Sequence, residues 1–252
     1  VQVSSRLFGS TTFQAGYFDR VNRVQGAENP VGRFRGDSYY VNANFPTPLG
    51  RVGVFHYAFD LGTSEPTLQD NVFSSRTTGV RLDGRHHKGE YGIDWEAAYA
   101  RQTDFADNPA DYSADYWLLG AQGFAGPARL GVRFESFGAA QEQSFQTPLG
   151  TLHRFQGAAD IFIVTPLEGL EDLEVRGQWN FGRQGPFRSV STALAYHRFA
   201  PEEGGPRFGQ EVDFDITAAF ERFTLAFTVA HYEADTFATD TTRYFLSLTH
   251  RF

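Results

Sequence analysis

Residues 241–252 read TTRYFLSLTHRF, and their alternation decides the fold. Tyr244, Leu246, Leu248, His250 and Phe252 fall on one face of an extended chain; Arg243, Ser247, Thr249 and Arg251 fall on the other. Successive side chains of a strand point to opposite faces, so this segment is a strand with one apolar and one polar side. Strict alternation up to a terminal aromatic, with arginine on the polar side, fits the last strand of a transmembrane β-barrel.

Average composition hides this. The chain has 252 residues and a formal net charge of −8, and its mean hydropathy of −0.38 is that of a soluble protein. A barrel strand mixes lipid-facing apolar and lumen-facing polar residues, so its mean stays near the soluble range. No run of residues approaches the roughly 18 to 20 apolar positions of a membrane helix, which excludes a helical membrane protein. Aromatic residues make up 16% of the chain and glycine supplies 26 positions, as suits interfacial girdles and closely packed strands. Cysteine is absent, which excludes disulfides and thiolate metal sites. Methionine is absent too, and the chain opens at Val1 without a signal peptide, so it reads as a mature form or a fragment. Of 22 basic residues only Lys88 is lysine. An arginine-lined pore would favour anions, whereas the 30 acids present point equally to ion pairing.

Read outward from the last strand, alternation and breakers predict strands over 1–8, 12–23, 37–45, 51–61, 73–85, 90–103, 112–124, 128–137, 171–181, 187–199, 208–220, 222–233 and 241–252. Short connections (9–10, 46–50, 86–89, 125–127, 182–186 and 221) alternate with long ones (24–36, 62–72, 104–111, 138–170, 200–207 and 234–240). Outer-membrane barrels have short periplasmic turns and longer extracellular loops, so the long set is expected outside. Thirteen segments make an odd number, whereas bacterial barrels normally have an even one. Either the first segment is not a full strand, or an odd number of N-terminal strands is missing. The connection 138–170 is too long for a structureless loop. Its centre, LHRFQGAADIFI over 152–163, is predicted to form a short helix that folds into the pore mouth, as a constriction touching solute or as a rim.

Several strands have faces clean enough to assign. Toward lipid the pattern places Val80 and Leu82; Tyr91, Ile93, Trp95 and Tyr99; Leu130, Val132 and Phe134; Leu173, Val175, Trp179 and Phe181; and Val212, Phe214, Ile216 and Phe220. Toward the lumen it places Arg81, Arg85, Arg129, Arg133, Arg176 and Arg243 together with Asp83, Asp94, Glu96, Glu135, Glu174, Glu211, Asp213 and Asp215. Such a set either fills the lumen with ion pairs or forms a charged constriction that selects solutes.

Other chemistry is weaker. The acidic stretches 104–115 and 233–242 lack calcium-loop spacing and read as solvated loops, and His86-His87 reads as a surface turn. His197 with Asp213 could enter a hydrolytic set, but no local nucleophile motif accompanies them, so no enzyme is expected. No cofactor, metal or nucleic-acid partner is implied.

The run SFQTPLGTLHRFQGAADIFIVTPLEGLEDL over 144–173 resembles a signature of the alginate-export family of outer-membrane porins, in which TPL-TLH-FQGWADKF-TP-GL-DLY is typical. YHRF at 196–199, FGQEVDFDITAAF at 208–220 and the stretch 232–252 are similar to the same family, as are 19–50 and 99–117. Ala158 stands where the family often has Trp, and Ile161 where it often has Lys. The resemblance implies a barrel of about eighteen strands, so this chain would match the C-terminal two thirds and about five strands would precede it. It also implies passive transport across the bacterial outer membrane, in the family's best-known case of a uronic-acid polysaccharide through an arginine-lined lumen. The expected partners are outer-membrane lipid and lipopolysaccharide, the barrel assembly machinery acting through 241–252, and small solutes or oligosaccharides. The alternative is a barrel that serves as an adhesin or scaffold for surface loops.

Overall fold

The computed structural model describes residues 1–7, 10–24, 26, 28–30, 32–63, 71–150 and 156–250. Phe8, Gly9, the centre of the 62–72 connection, residues 151–155, Arg251 and Phe252 lie outside the described residues, and with them parts of the readings above. The chain forms one antiparallel sheet of thirteen strands in sequence order. They are β1 (Gln2–Leu7), β2 (Thr11–Asn22), β3 (Arg33–Thr47), β4 (Gly50–Phe59), β5 (Ser75–Lys88), β6 (Tyr91–Asp104), β7 (Ser113–Ala125), β8 (Ala128–Phe137), β9 (Leu170–Gln184), β10 (Phe187–Ala200), β11 (Gly209–Ala219), β12 (Phe223–Ala234) and β13 (Thr241–His250). Each strand pairs with its sequence neighbours, as an up-and-down meander in which tight hairpins at one end alternate with longer connections at the other. Among the described residues β1 and β13 each keep one unpaired edge.

Strand residues on one face alternate with those on the other, and the two faces differ in chemistry. Leu130, Val132, Leu173, Val175, Trp179, Val212, Phe214, Tyr244, Leu246 and Leu248 are all exposed, on the face that alternation assigns to lipid. In a soluble sheet such a continuous apolar surface would be buried against a second layer; here no second layer covers it among the described residues. The opposite face carries the charged residues and receives the long connection 138–170.

Hairpins at one end are tight. Gly89, Gly126 and Gly185 take positive φ (62°, 54° and 53°) in the turns after β5, β7 and β9, where a left-handed residue lets a two-residue turn follow the strand twist. The first of these corrects the sequence reading: the register continues to Lys88↔Tyr91, so His86 and His87 belong to β5 rather than to the turn. His87 Nε2 lies 2.7 Å from Asp94 Oδ1 across the β5–β6 ladder.

The helix expected within 152–163 is also corrected, because residues 156–163 form successive turns. Gln156, Gly157 and Asp160 adopt positive φ (57°, 83° and 51°), and left-handed residues at this spacing break a right-handed helix. These turns lie inside the curved sheet. Phe145, Ala158, Ala159 and Phe162 of the loop are buried in one cluster with Tyr112, Phe137, Leu170, Phe199, Phe208 and Tyr232. Phe162 touches Phe199 at 4.5 Å between ring centroids and Phe237 at 5.3 Å, and is only 5% exposed. Burying a ring of this size stabilises the docked loop by about 1.5–3 kcal/mol.

Candidate functional site

The inner wall is built by register. On β8 and β9, Arg133 stands opposite Glu174 and Glu135 opposite Asp172; on β9 and β10, Glu174 stands opposite His197; on β10 and β11, His197 stands opposite Glu211. Period-two alternation puts all of these on one face, and the ladder brings acids and bases from non-adjacent segments side by side. Arg81 on β5 donates to Asp83 and, through Nη2, to Glu96 Oε2 at 2.6 Å. Arg133 on β8 reaches Glu96 at 3.2 Å and Glu135 at 2.8 Å. Arg176 on β9 binds Asp215 of β11 and approaches Glu174 at 3.8 Å. Thr228 on β12 donates to the other Asp215 oxygen at 2.6 Å. One network of alternating charge therefore runs across the wall from β5 to β12.

Two cavities of about 880 and 950 Å³ open on this network. The first lies toward the tight hairpins, with Arg51, Arg85, Asp83, Asp94 and Gln122 among its walls; the second lies beneath the loop, with Arg81, His197, Asp213, Asp215 and Ala158. Glu96, Arg133, Glu174 and Arg176 line both. These four form a waist of alternating charge between the two chambers.

The loop seats on the upper chamber through its backbone. The amides of Ala158 and Ala159 donate to Asp213 Oδ2 at 3.2 Å and Glu211 Oε1 at 2.8 Å, and Gln156 Nε2 donates to Glu135 Oε2 at 2.8 Å. Arg243 Nη1 of β13 donates to Asp160 Oδ2 at 2.9 Å, which ties the loop to the last strand. Further back, Gln102 of β6 accepts from the Gln146 amide at 2.8 Å and donates to the Gln146 carbonyl at 2.9 Å. Tyr112, just before β7, donates to Gln102 Oε1 at 3.0 Å. Burial, with Asp104 nearby, pushes the Tyr112 phenol up, so it stays a donor at any ordinary pH. Beneath the loop His197 Nδ1 lies 2.9 Å from Asp172 Oδ1, and Nε2 lies 3.7 Å from Asp213 Oδ2, all three groups being buried. Glu211 Oε2 and Asp213 Oδ1 are buried without a hydrogen-bond partner.

Of the residues assigned to the lumen from sequence, Arg81, Asp83, Glu96, Arg133, Glu135, Glu174, Arg176, Asp213 and Asp215 come together around these chambers. Arg85 lines the first chamber only, Arg243 is engaged by the loop, and Arg129 sits apart near the hairpin end, its guanidinium 5.2 Å from the Phe124 ring centre. Asp172 was legible, because it shares the parity of Glu174 and Arg176. Asp160 was not, since no periodicity governs a loop. His197, read only against a hydrolytic role, proves to be the centre of a buried carboxylate cluster. Among the described residues no group of three or more His, Asp or Glu side chains could hold a metal ion.

No known family model matches the chain, and no characterised protein matches it in sequence. Solved structures do match. OpdK of Pseudomonas aeruginosa, determined with vanillate, superposes with a TM-score of 0.69 at 13% identity over 99% of this chain and 67% of its own. The outer membrane protein OprD of the same organism gives 0.65 at 12% identity over 98% and 66%, and OccAB2 of Acinetobacter baumannii 0.65 at 15% over 98% and 67%. These are transmembrane β-barrels. At such identities the likeness shows the fold: this chain has the fold of about two thirds of an outer-membrane barrel. The barrels found are of the OprD and Occ type rather than alginate exporters, so the broader expectation of a porin barrel stands on the fold and the narrower one on sequence motifs alone.

Proposed function

We propose that this chain forms most of the wall of a bacterial outer-membrane channel through which small hydrophilic or saccharide solutes diffuse passively. The observation that carries the reading is the pair of chambers on the inner face, walled by charged side chains, behind a sheet whose outer face is apolar. Unpaired strand edges are too costly to leave in hydrocarbon, so β1 and β13 require strand partners. The two strands run in the same direction, being separated by an even number of antiparallel steps. Antiparallel closure therefore takes an odd number of further strands, in keeping with the share of the solved barrels that this chain spans. On this reading the tight hairpins face the periplasm, the outer band contacts lipid and lipopolysaccharide, and β13 is the strand offered to the assembly machinery. Kinship with the alginate-export family is the finer reading, supported by the motif over 144–173 and by the inward arginines. Arg81, Arg133 and Arg176 among them are paired with acids, so strict selection of a polyanion is not expected.

Purified, folded full-length protein in planar bilayers is expected to carry ion current; folded protein without current would favour a scaffold or adhesin. Arg81→Ser with Arg176→Ser removes two half-exposed lumen cations and is expected to shift the reversal potential toward cations. An unchanged reversal potential would remove these arginines from the solute path. The outer face has its own test. Val132→Arg should cost about 2–4 kcal/mol in the urea-dependent folding of the protein into vesicles, because the charge enters hydrocarbon. Gln122→Arg, on the inner face, should cost little; equal losses would contradict the assignment of faces.

A further inference from the structure

Aromatic side chains in a barrel belong at the lipid interfaces, yet β2, β3 and β4 turn five of them inward: Phe18, Tyr40, Phe55, Tyr57 and Phe59. They are neighbours. Tyr40 stands opposite Tyr57 in the β3–β4 register. Ring centroids of Phe55 and Tyr57 are 5.0 Å apart at 23°, those of Tyr57 and Phe59 5.7 Å apart at 3°, and those of Phe18 and Phe59 5.8 Å apart. Parallel rings at these separations are offset rather than face to face, so they overlap like shingles and leave part of each face open.

Local structure holds the rings along the wall. Tyr57 Oη donates to Asn42 Oδ1 of β3 at 3.0 Å, which pins the ring across the neighbouring strand. The tip of Phe55 lies over Gly79 of β5, where a Cβ would come within 2.4 Å of Cζ, and Tyr40 lies over Gly16 of β2, where a Cβ would come within 2.3 Å of the ring. Glycine on the adjacent strand is what lets each ring lie down. All five rings remain partly exposed. At its lower end the row meets the ion-pair network, since Phe55 is opposite Gly79 and Arg81 is the next inward residue on β5.

We propose that this inner face is a binding track for uncharged saccharides, deepening the channel reading on which it rests. The CH-bearing face of a pyranose ring packs on an open aromatic face, as apolar surface leaving water. The Arg81–Glu96 pair beside the track offers adjacent donors and acceptors to ring hydroxyls. Arg81, Arg133 and Arg176 already face carboxylates, so the ion-pair network beside the track offers hydrogen bonds to hydroxyls rather than an uncompensated charge to a uronate.

The test uses the full-length protein in planar bilayers, with a short linear α-1,4-glucan as probe and a uronate oligomer of equal length beside it. The glucan is expected to reduce ion current saturably. Tyr57→Leu and Phe59→Leu, which keep apolar volume but remove the rings, are each expected to raise the half-blocking concentration about fivefold with open-channel conductance retained. Tyr57→Phe keeps the ring but not its tie to Asn42, and its half-blocking concentration should fall between those of wild type and Tyr57→Leu. An open wild-type channel that the glucan does not block, block indifferent to loss of the rings, or block by the uronate alone would each overturn the track while leaving the channel intact. Folded protein that carries no current would overturn the channel and the track together.

Discussion

Gly157→Leu is expected to lift the 138–170 loop off the upper chamber and move the channel to a larger conductance level. Gly157 has φ +83°, and a Cβ placed there would lie 2.5 Å from a Glu211 carboxylate oxygen. Glu211 cannot retreat, because it is fully buried and accepts from the Ala159 amide at 2.8 Å. Left-handed backbone costs a branched residue about 1–2 kcal/mol. In the docked position the same clash also drives the Glu211 carboxylate and the neighbouring amides of Ala158 and Ala159 apart, so the variant's docked state forfeits hydrogen bonds to Glu211 and Asp213 worth about 1.5–3 kcal/mol each. A combined loss near 4 kcal/mol changes the ratio of docked to undocked loop by about a thousandfold. Single-channel recording reads the result directly. Gly177→Leu is the control, since a Cβ at Gly177 meets nothing within 4 Å. Unaltered conductance in Gly157→Leu would mean that the loop does not narrow the path.

The loop also marks where sequence reasoning stops. Alternation in TTRYFLSLTHRF and its counterparts located the strands to within a few residues, because a barrel strand has to be apolar on one side and polar on the other along its length. The same parity sent Arg81, Glu96, Arg133 and Arg176 inward. Which acid each arginine meets was not legible. Arg133 bridges Glu96 and Glu135, and Arg176 reaches past β10 to Asp215, choices set by side-chain reach across a curved wall rather than by local pattern. Over 152–163 the spacing of Leu152, Phe155, Ala159 and Phe162 suggests a helix. The carboxylates of β11 instead draw the amides of Ala158 and Ala159 into open turns, a tertiary interaction between segments more than fifty residues apart. The inward aromatic row escaped for a different reason: in β4 the face of Phe55, Tyr57 and Phe59 and that of Val52 and Val54 are both apolar, so alternation has no contrast to report.

Arg133→Ala should be the most destabilising single change in the charged wall, by about 3–5 kcal/mol in urea unfolding from vesicles. Its side chain is 17% exposed and it neutralises Glu135, whose side chain is 5% exposed. Glu135 also accepts from Tyr116 and Gln156, so it is held in place and cannot swing toward water when its cation is lost. An uncompensated buried carboxylate is far more costly than the surface pair that a distance alone would suggest. Arg133→Lys keeps the charge but not the fork that reaches Glu96 and Glu135 together, so its loss should fall between wild type and Ala. Arg129→Ala, four residues earlier on the same face, removes an exposed guanidinium that lies beside Phe124 and donates at 3.5 Å to Gln122 Oε1, and should cost about 0.5–1 kcal/mol. The ratio between the two alanine variants is the discriminating quantity. Comparable losses would show that the wall around Glu135 is hydrated in the membrane, and then the waist formed by Glu96, Arg133, Glu174 and Arg176 would act as a loose charged surface rather than a fixed frame between the chambers.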